Sequence, residues 1–168
     1  MERHLTVSGF VVHEGRVALH WHPKLGFWLP AGGHLEAGED PVEAVLREVE
    51  EEFDLIAEPI RLFDRPTYEG PRQIEPPFAI QNCVIARDHE HIDLVYFLRH
   101  ISGFPGRNYD ALNPIVWADV EMLASGALVR DGEPAGLHAD VQALGIEAIR
   151  MAERFEAAAA TRGAGQDA

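Results

Sequence analysis

Glu48, Glu51 and Glu52 are the residues whose type and spacing could do chemistry in this chain. In a helix, positions i, i+3 and i+4 lie on one side, so the three carboxylates project together. Like charges at that spacing repel by a few tenths of a kcal/mol per pair. No Lys or Arg of the same helix is expected to face the trio, and Glu43 is expected to pair with Arg47 one turn on. A hard divalent cation with oxygen ligands would turn the repulsion into a binding site, and such ions serve phosphate chemistry. A solvated acidic face would show the same spacing, so the carboxylates alone leave both readings open.

The element that must position these groups is well marked. Asp40 suits an N-cap, Pro41 the first helical position and Glu43 the third, a variant capping box. At about 100° per residue, Val42, Val45, Leu46, Val49 and Phe53 share one face, which must pack on a core. The glycine-rich run Ala31-Gly32-Gly33 precedes the helix and reads as a turn.

From Gly33 to Leu55 the chain resembles the Nudix box: G, five residues, E, seven residues, then R-E-apolar-x-E-E-x-G-apolar. Gly33, Glu39, Arg47, Glu48, Val49, Glu51, Glu52 and Leu55 fall in register. The departure is Asp54, where the family has glycine just past the helix end. A left-handed conformation is common there, and Asp tolerates it less well than Gly. The resemblance implies an α/β fold, a Nudix-like α/β/α sandwich with a mixed central sheet and a long C-terminal helix. It also implies hydrolysis of a P–O–P bridge in a nucleoside diphosphate linked to another group: ADP-ribose-like, a nucleotide sugar or a nucleoside triphosphate. Mg²⁺ or Mn²⁺ would be the cofactor.

By position, Glu48, Glu51 and Glu52 match the family's metal-binding carboxylates. Gly32 matches a residue whose carbonyl often joins the metal. Arg47 and Glu39 match a pair that ties the loop to the helix. Glu48 or Glu52 would orient or deprotonate the attacking water, unless a loop outside the box supplies the base; Glu75 and Glu90 are the candidates here. Two other functions of the same fold stay open: a non-hydrolytic nucleotide sensor, and an isomerase with its own acid/base pair. The intact carboxylate set speaks against the sensor. The placement of Cys83 in a strand-like run speaks against the isomerase.

The whole chain fits one domain over residues 1–160, with a tail at 161–168. Of 168 residues, 46% are hydrophobic and 25% charged, ordinary for a globular protein. A formal charge of −14 argues against nucleic acid or an acidic membrane as partner. It equally disfavours phosphates at long range, so a metal must supply the local positive field. The expected partner is a small-molecule nucleotide, and a homodimer is left open. The single cysteine, Cys83, excludes an internal disulfide and reads as a buried thiol. No signal peptide or membrane-spanning run is evident, which makes the cytoplasm the default.

Strands are expected at Leu5–His13, Arg16–His22, Phe27–Pro30, Ile56–Phe63, Phe78–Ala86, Ile92–His100 and Ile115–Ala118. A brief helix should start at Asp119, and a long one should run from Gly136 or Leu137 to about Ala160. Asp64–Pro77, Arg87–His91 and Gly103–Asn113 read as loops, the first two long enough to reach a substrate. Tyr68, Arg72 and Glu75 in the first could stack on a base, bind a phosphate or assist a metal. Pro71 falls sixteen residues beyond Leu55, roughly where ADP-ribose-cleaving members of the family carry a proline.

His20, His22, His34, His89 and His91 show no compact zinc spacing. His34 lies in the box loop and is a candidate phosphate contact. Trp21, Phe27 and Trp28 read as core, with one ring available to stack on a base.

Overall fold

The computed structural model describes residues 1–61, 63, 65–66, 68–103 and 114–164, with side chains through residue 161. Strand β1 (Glu2–His13) organises the sheet. On one side it runs parallel to β7 (His89–Gly103), from Glu2 opposite His89 to Val12 opposite Arg99. On the other, its middle pairs antiparallel with β4 (Ala31–His34) and its end with β2 (Arg16–His22). Strands β3 (Phe27–Leu29) and β8 (Ile115–Ala118) both pair with β2. Strands β5 (Leu55–Pro59) and β6 (Ala79–Ala86) pair with the two halves of β7. The result is an eight-stranded mixed sheet.

Helix α1 (Pro41–Phe53) covers one face, burying Ala44, Val45, Val49 and Phe53 against Val7, Val11, Ala18, Tyr96 and Leu98. Helix α3 (Ala139–Ala164) covers the other, with Val141, Ala148, Ile149 and Ala152 packed on Phe10, Val12, Leu19, Val95 and Phe97. The short α2 (Val120–Ala124), capped by Asp119, lies beside it. This is the α/β/α sandwich with a mixed sheet. Side chains alternate along β1, so its odd residues meet α1 and its even residues face α3.

Several boundaries differ from expectation. Gly32 and Gly33 are strand residues, held in β4 by β1. Strand β5 stops at Pro59, one residue before Ile60, whose N–H still donates to Phe97 O at 2.9 Å. The β6–β7 connection is only Arg87-Asp88, so His89, Glu90 and His91 belong to β7 rather than to a loop over the site. Helix α3 starts at Ala139 and runs to Ala164, past the expected end; the last residues of the expected tail, 165–168, lie outside the described residues, as do 104–113 of the expected loop. A hairpin of β9 (Ala127–Arg130) and β10 (Glu133–Gly136) was not foreseen. Its turn, Asp131-Gly132, has φ of 52° and 85°, the two left-handed residues a tight hairpin demands. Cys83 is half-buried on β6, not buried, because β6 is covered on one face only.

Asp54 caps α1 with φ 56° and ψ 35°, the left-handed conformation expected there, and its N–H donates to Glu50 O at 2.9 Å. A carboxylate there also faces the negative end of the helix dipole. Asp54→Gly should therefore raise unfolding stability by roughly 0.5–1 kcal/mol, read by urea titration, with hydrolysis unchanged. Lower stability would show that the Asp54 side chain holds a contact that outweighs the backbone strain.

Candidate active site

The N-terminus of α1 is fixed by a full capping box. Asp40 Oδ1 accepts from the N–H groups of Val42 (2.8 Å) and Glu43 (3.1 Å), and Glu43 Oε2 accepts from Asp40 N–H at 2.9 Å. Glu43 is therefore committed to the cap, and the expected Glu43–Arg47 pair does not form.

Arg47 instead reaches along the helix and back to the loop. Its Nε and Nη2 donate to the two carboxylate oxygens of Glu39 at 2.7 and 3.1 Å. Nη2 also donates to the His34 carbonyl at 3.2 Å. Nη1 donates to Glu48 at 2.9 Å and to Glu51 at 3.2 Å. The expectation that no helix cation faces the trio thus fails, because a long arginine side chain can bridge its own neighbour and its i+4 partner. Hydrogen bonds from Arg47, then from Glu36 N–H, hold the Glu39 carboxyl below its usual range.

The loop and helix approach closely at β4. A Cβ on Gly33 would lie 2.1 Å from Glu48 Oε1, and one on Gly32 would lie 2.4 Å from Val7 O. Only glycine fits at position 32, where the clash is with backbone, whereas at position 33 a side chain would displace the Glu48 carboxylate. Gly32 N–H donates to Glu52 Oε2 at 2.9 Å. The site is thus drawn from three places: Glu39 before the helix, Gly32 and Gly33 on β4, and the carboxylates on α1.

Glu52 is half-buried, its side chain 26% exposed. Burial pushes its carboxyl up; the Gly32 N–H pulls it back; the nearby Glu48 and Glu51 charges raise it again, to about 7. A half-buried carboxylate beside two others is a site short of positive charge, which fits a divalent cation with oxygen donors. The fit is incomplete as the side chains stand. Among the described residues, ligand atoms within 4.8 Å of one another belong to Glu2, His4 and His89, and the helix carboxylates do not converge to that distance.

Sequence reasoning gave His20 no part in this site. Strand β2 sets it against α1, with Nε2 3.7 Å from Glu52 Oε2 and its ring 5.5 Å from that of Phe53. Burial, then the neighbouring His22, lowers its pKa to about 4 against a bond to the Pro30 carbonyl, so it is neutral at physiological pH. The alternation of β2 was the available signal, since Ala18 and His20 point to the same face.

His34 is placed differently from expectation. Its carbonyl meets Arg47, but it sits opposite Thr6 on the α3 side of the sheet, and its ring packs on His4 and His91. Its ring thus faces away from the carboxylate helix. Glu90 pairs with Arg3 at 2.8 Å. Glu75 is bonded by Arg65, and its carbonyl accepts from Tyr96 Oη at 3.3 Å. Trp28 is buried in the core on the α3 side, Trp21 packs beside it, and Phe27 lies against His138.

A Nudix domain model matches residues 2–134, most of the chain. The chain belongs to the Nudix family. Solved structures agree. A Nudix hydrolase from Clostridium perfringens is 26% identical with a TM-score of 0.70, the match covering 90% of this chain and 99% of that one. A MutT Nudix hydrolase from Burkholderia pseudomallei is 18% identical with a TM-score of 0.60, covering 90% and 98%. A UDP-X diphosphatase is 15% identical with a TM-score of 0.57, covering 94% of this chain and 64% of that one. No curated protein matches significantly. This Nudix chain is a pyrophosphohydrolase, and none of its described helices is long and apolar enough to cross a membrane.

Proposed function

We propose that this Nudix enzyme hydrolyses the P–O–P bridge of a nucleoside diphosphate joined to a second group, with Mg²⁺ or Mn²⁺ held by Glu48, Glu51, Glu52 and the Gly32 carbonyl. The observation that carries this is Glu52: half-buried, seated on the Gly32 N–H, and pushed up by that desolvation and by the two carboxylates beside it. When bound, the metal neutralises the diphosphate oxygens and makes a coordinated water acidic enough to attack. The protein's own residues supply the geometry. Arg47 locks Glu39 and the His34 carbonyl to the helix, so the loop cannot drift from the carboxylates. Glu48 or Glu52 takes the proton from the attacking water. Neutral His20 backs Glu52 without adding a charge that would compete with the cation.

Glu75 and Glu90 remain weaker candidates for the base, since each already holds an arginine. Glu75 is the better of the two, because its Oε1 is buried without a hydrogen-bond partner.

The group beyond the diphosphate is assigned to a cleft of about 770 Å³ at the other end of α1. Val42, Phe63, Arg65, Arg72, Glu75 and Phe155 are among its lining, and none of the three helix carboxylates is. Arg72 is tied to the cap residue Asp40. Val42 and Glu48 are six residues apart, roughly 9 Å along a helix, a span that suits a substrate with groups on both sides of its diphosphate. ADP-ribose and nucleotide sugars are of this form. A screen of these compounds, nucleoside triphosphates and dinucleoside polyphosphates with added Mg²⁺ or Mn²⁺ tests the assignment. Arg72→Ala and Tyr68→Ala should reorder substrates by kcat/KM and leave the metal requirement intact. An equal loss for every substrate would remove both residues as selectors.

A further inference from the structure

Four histidines meet on the α3 side of the sheet, at the end where β1 and β7 begin, and hydrolysis uses none of them. The parallel register sets Glu2 opposite His89 and His4 opposite His91, and β4 brings His34 alongside. These β1 residues share the face of Phe10 and Val12, which pack toward α3, so the cluster lies across the sheet from the carboxylate helix. His4 Nε2 is 3.1 Å from Glu2 Oε1, and His89 Nε2 is 2.8 Å from His91 Nε2. The His4 and His89 rings stack at 4.9 Å. Ligand atoms of Glu2, His4 and His89 lie within 4.8 Å of one another.

This arrangement is hard to account for as a solvated strand end. Strand ends usually splay their polar side chains into water, whereas here the ring nitrogens turn toward one another. A contact of 2.8 Å between two imidazole nitrogens requires at least one neutral ring. Neutral imidazole is also the form that binds metal.

We propose that Glu2, His4 and His89, with His91 hydrogen-bonded behind His89, form a binding site for a divalent transition-metal ion of the zinc class, separate from the catalytic centre. Two imidazole nitrogens and one carboxylate oxygen suit Zn²⁺, Co²⁺ or Ni²⁺ and are a poor set for Mg²⁺. Bonds of about 2.0–2.1 Å put neighbouring ligands of a tetrahedral site roughly 3.3 Å apart. The close pairs in the cluster are slightly tighter than that, so an ion entering among them needs side-chain rotation rather than backbone movement. Because two ligands come from β1 and one from β7, an ion there would staple the parallel pair at its open end.

The test is titration of metal-stripped enzyme with Zn²⁺ in the presence of excess Mg²⁺, followed by calorimetry and by thermal unfolding. One tight equivalent and a raised Tm are expected. His4→Gln and His89→Gln should each weaken Zn²⁺ binding by at least about tenfold and remove the Tm increase, while Mg²⁺-dependent hydrolysis continues. Unchanged Zn²⁺ affinity in both variants overturns the proposal. So does loss of tight Zn²⁺ binding in Glu52→Gln with the histidines intact, which would put the ion on the helix carboxylates. Co²⁺ added to the wild-type protein gives a result that needs no variant: intense visible bands of a four-coordinate ion support the site, and the weak spectrum of six oxygen ligands refutes it. The outcome is independent of whether the hydrolytic assignment holds, because metal binding is read directly.

Discussion

Glu52→Gln is expected to lower kcat by more than about a hundredfold at saturating Mg²⁺, and EDTA should abolish wild-type hydrolysis until Mg²⁺ or Mn²⁺ is restored. The size follows from the role assigned to the residue. Losing a group that merely orients a metal ligand costs about 10–100-fold, so losing a ligand should cost more. The substitution is conservative in shape, and its amide oxygen can still accept from Gly32 N–H, so the β4–α1 junction should hold. KM should move less than kcat if the cleft around Arg72 supplies the substrate's grip. Near-normal turnover of the variant at saturating metal would remove Glu52 from the reaction.

The helix that carries this chemistry was legible because its signals are local. Asp40, Pro41 and Glu43 mark its start, the apolar period marks its buried face, and both survive any tertiary context. The Glu39–Arg47 tie was legible only through resemblance, since nothing in the spacing says that an arginine will turn back eight residues. What sequence reasoning missed was decided at longer range. Ala31-Gly32-Gly33 has the composition of a turn, yet pairing with β1 makes it a strand, and the glycines serve close approach rather than flexibility. His34 adjoins the carboxylates in sequence but alternation turns it away from them, while distant His20 is turned toward them. The β9–β10 hairpin is a different case. Its Asp131-Gly132 turn is a strong local signal, but the four-residue strands that flank it carry little alternation of their own.

The same Glu52→Gln change should stabilise the metal-free protein at alkaline pH, opposite in sign to its effect on activity. Burial first, and then Glu48 and Glu51, raise the Glu52 carboxyl from 4.5 to about 7 in the fold. Between those values the folded state holds a proton that the unfolded chain has released. Stability must therefore fall as pH rises through that window. Full ionisation corresponds to roughly 3 kcal/mol at about 1.4 kcal/mol per unit. His20 works the other way: lowered from 6.5 to about 4, it adds stability as pH rises between those two values. The opposing slopes flatten the wild-type profile over most of the range, so the informative quantity is the difference between variant and wild type. In EDTA that difference should be small near pH 4.5 and grow to roughly 2–3 kcal/mol in favour of Glu52→Gln by pH 8, measured by urea unfolding at each pH. Added Mg²⁺ should narrow or reverse it, since a bound cation favours the ionised carboxylate that the empty site penalises. A difference that does not vary with pH would mean that Glu52 is ionised at no cost without metal, and that the carboxylate cluster creates no demand for a cation.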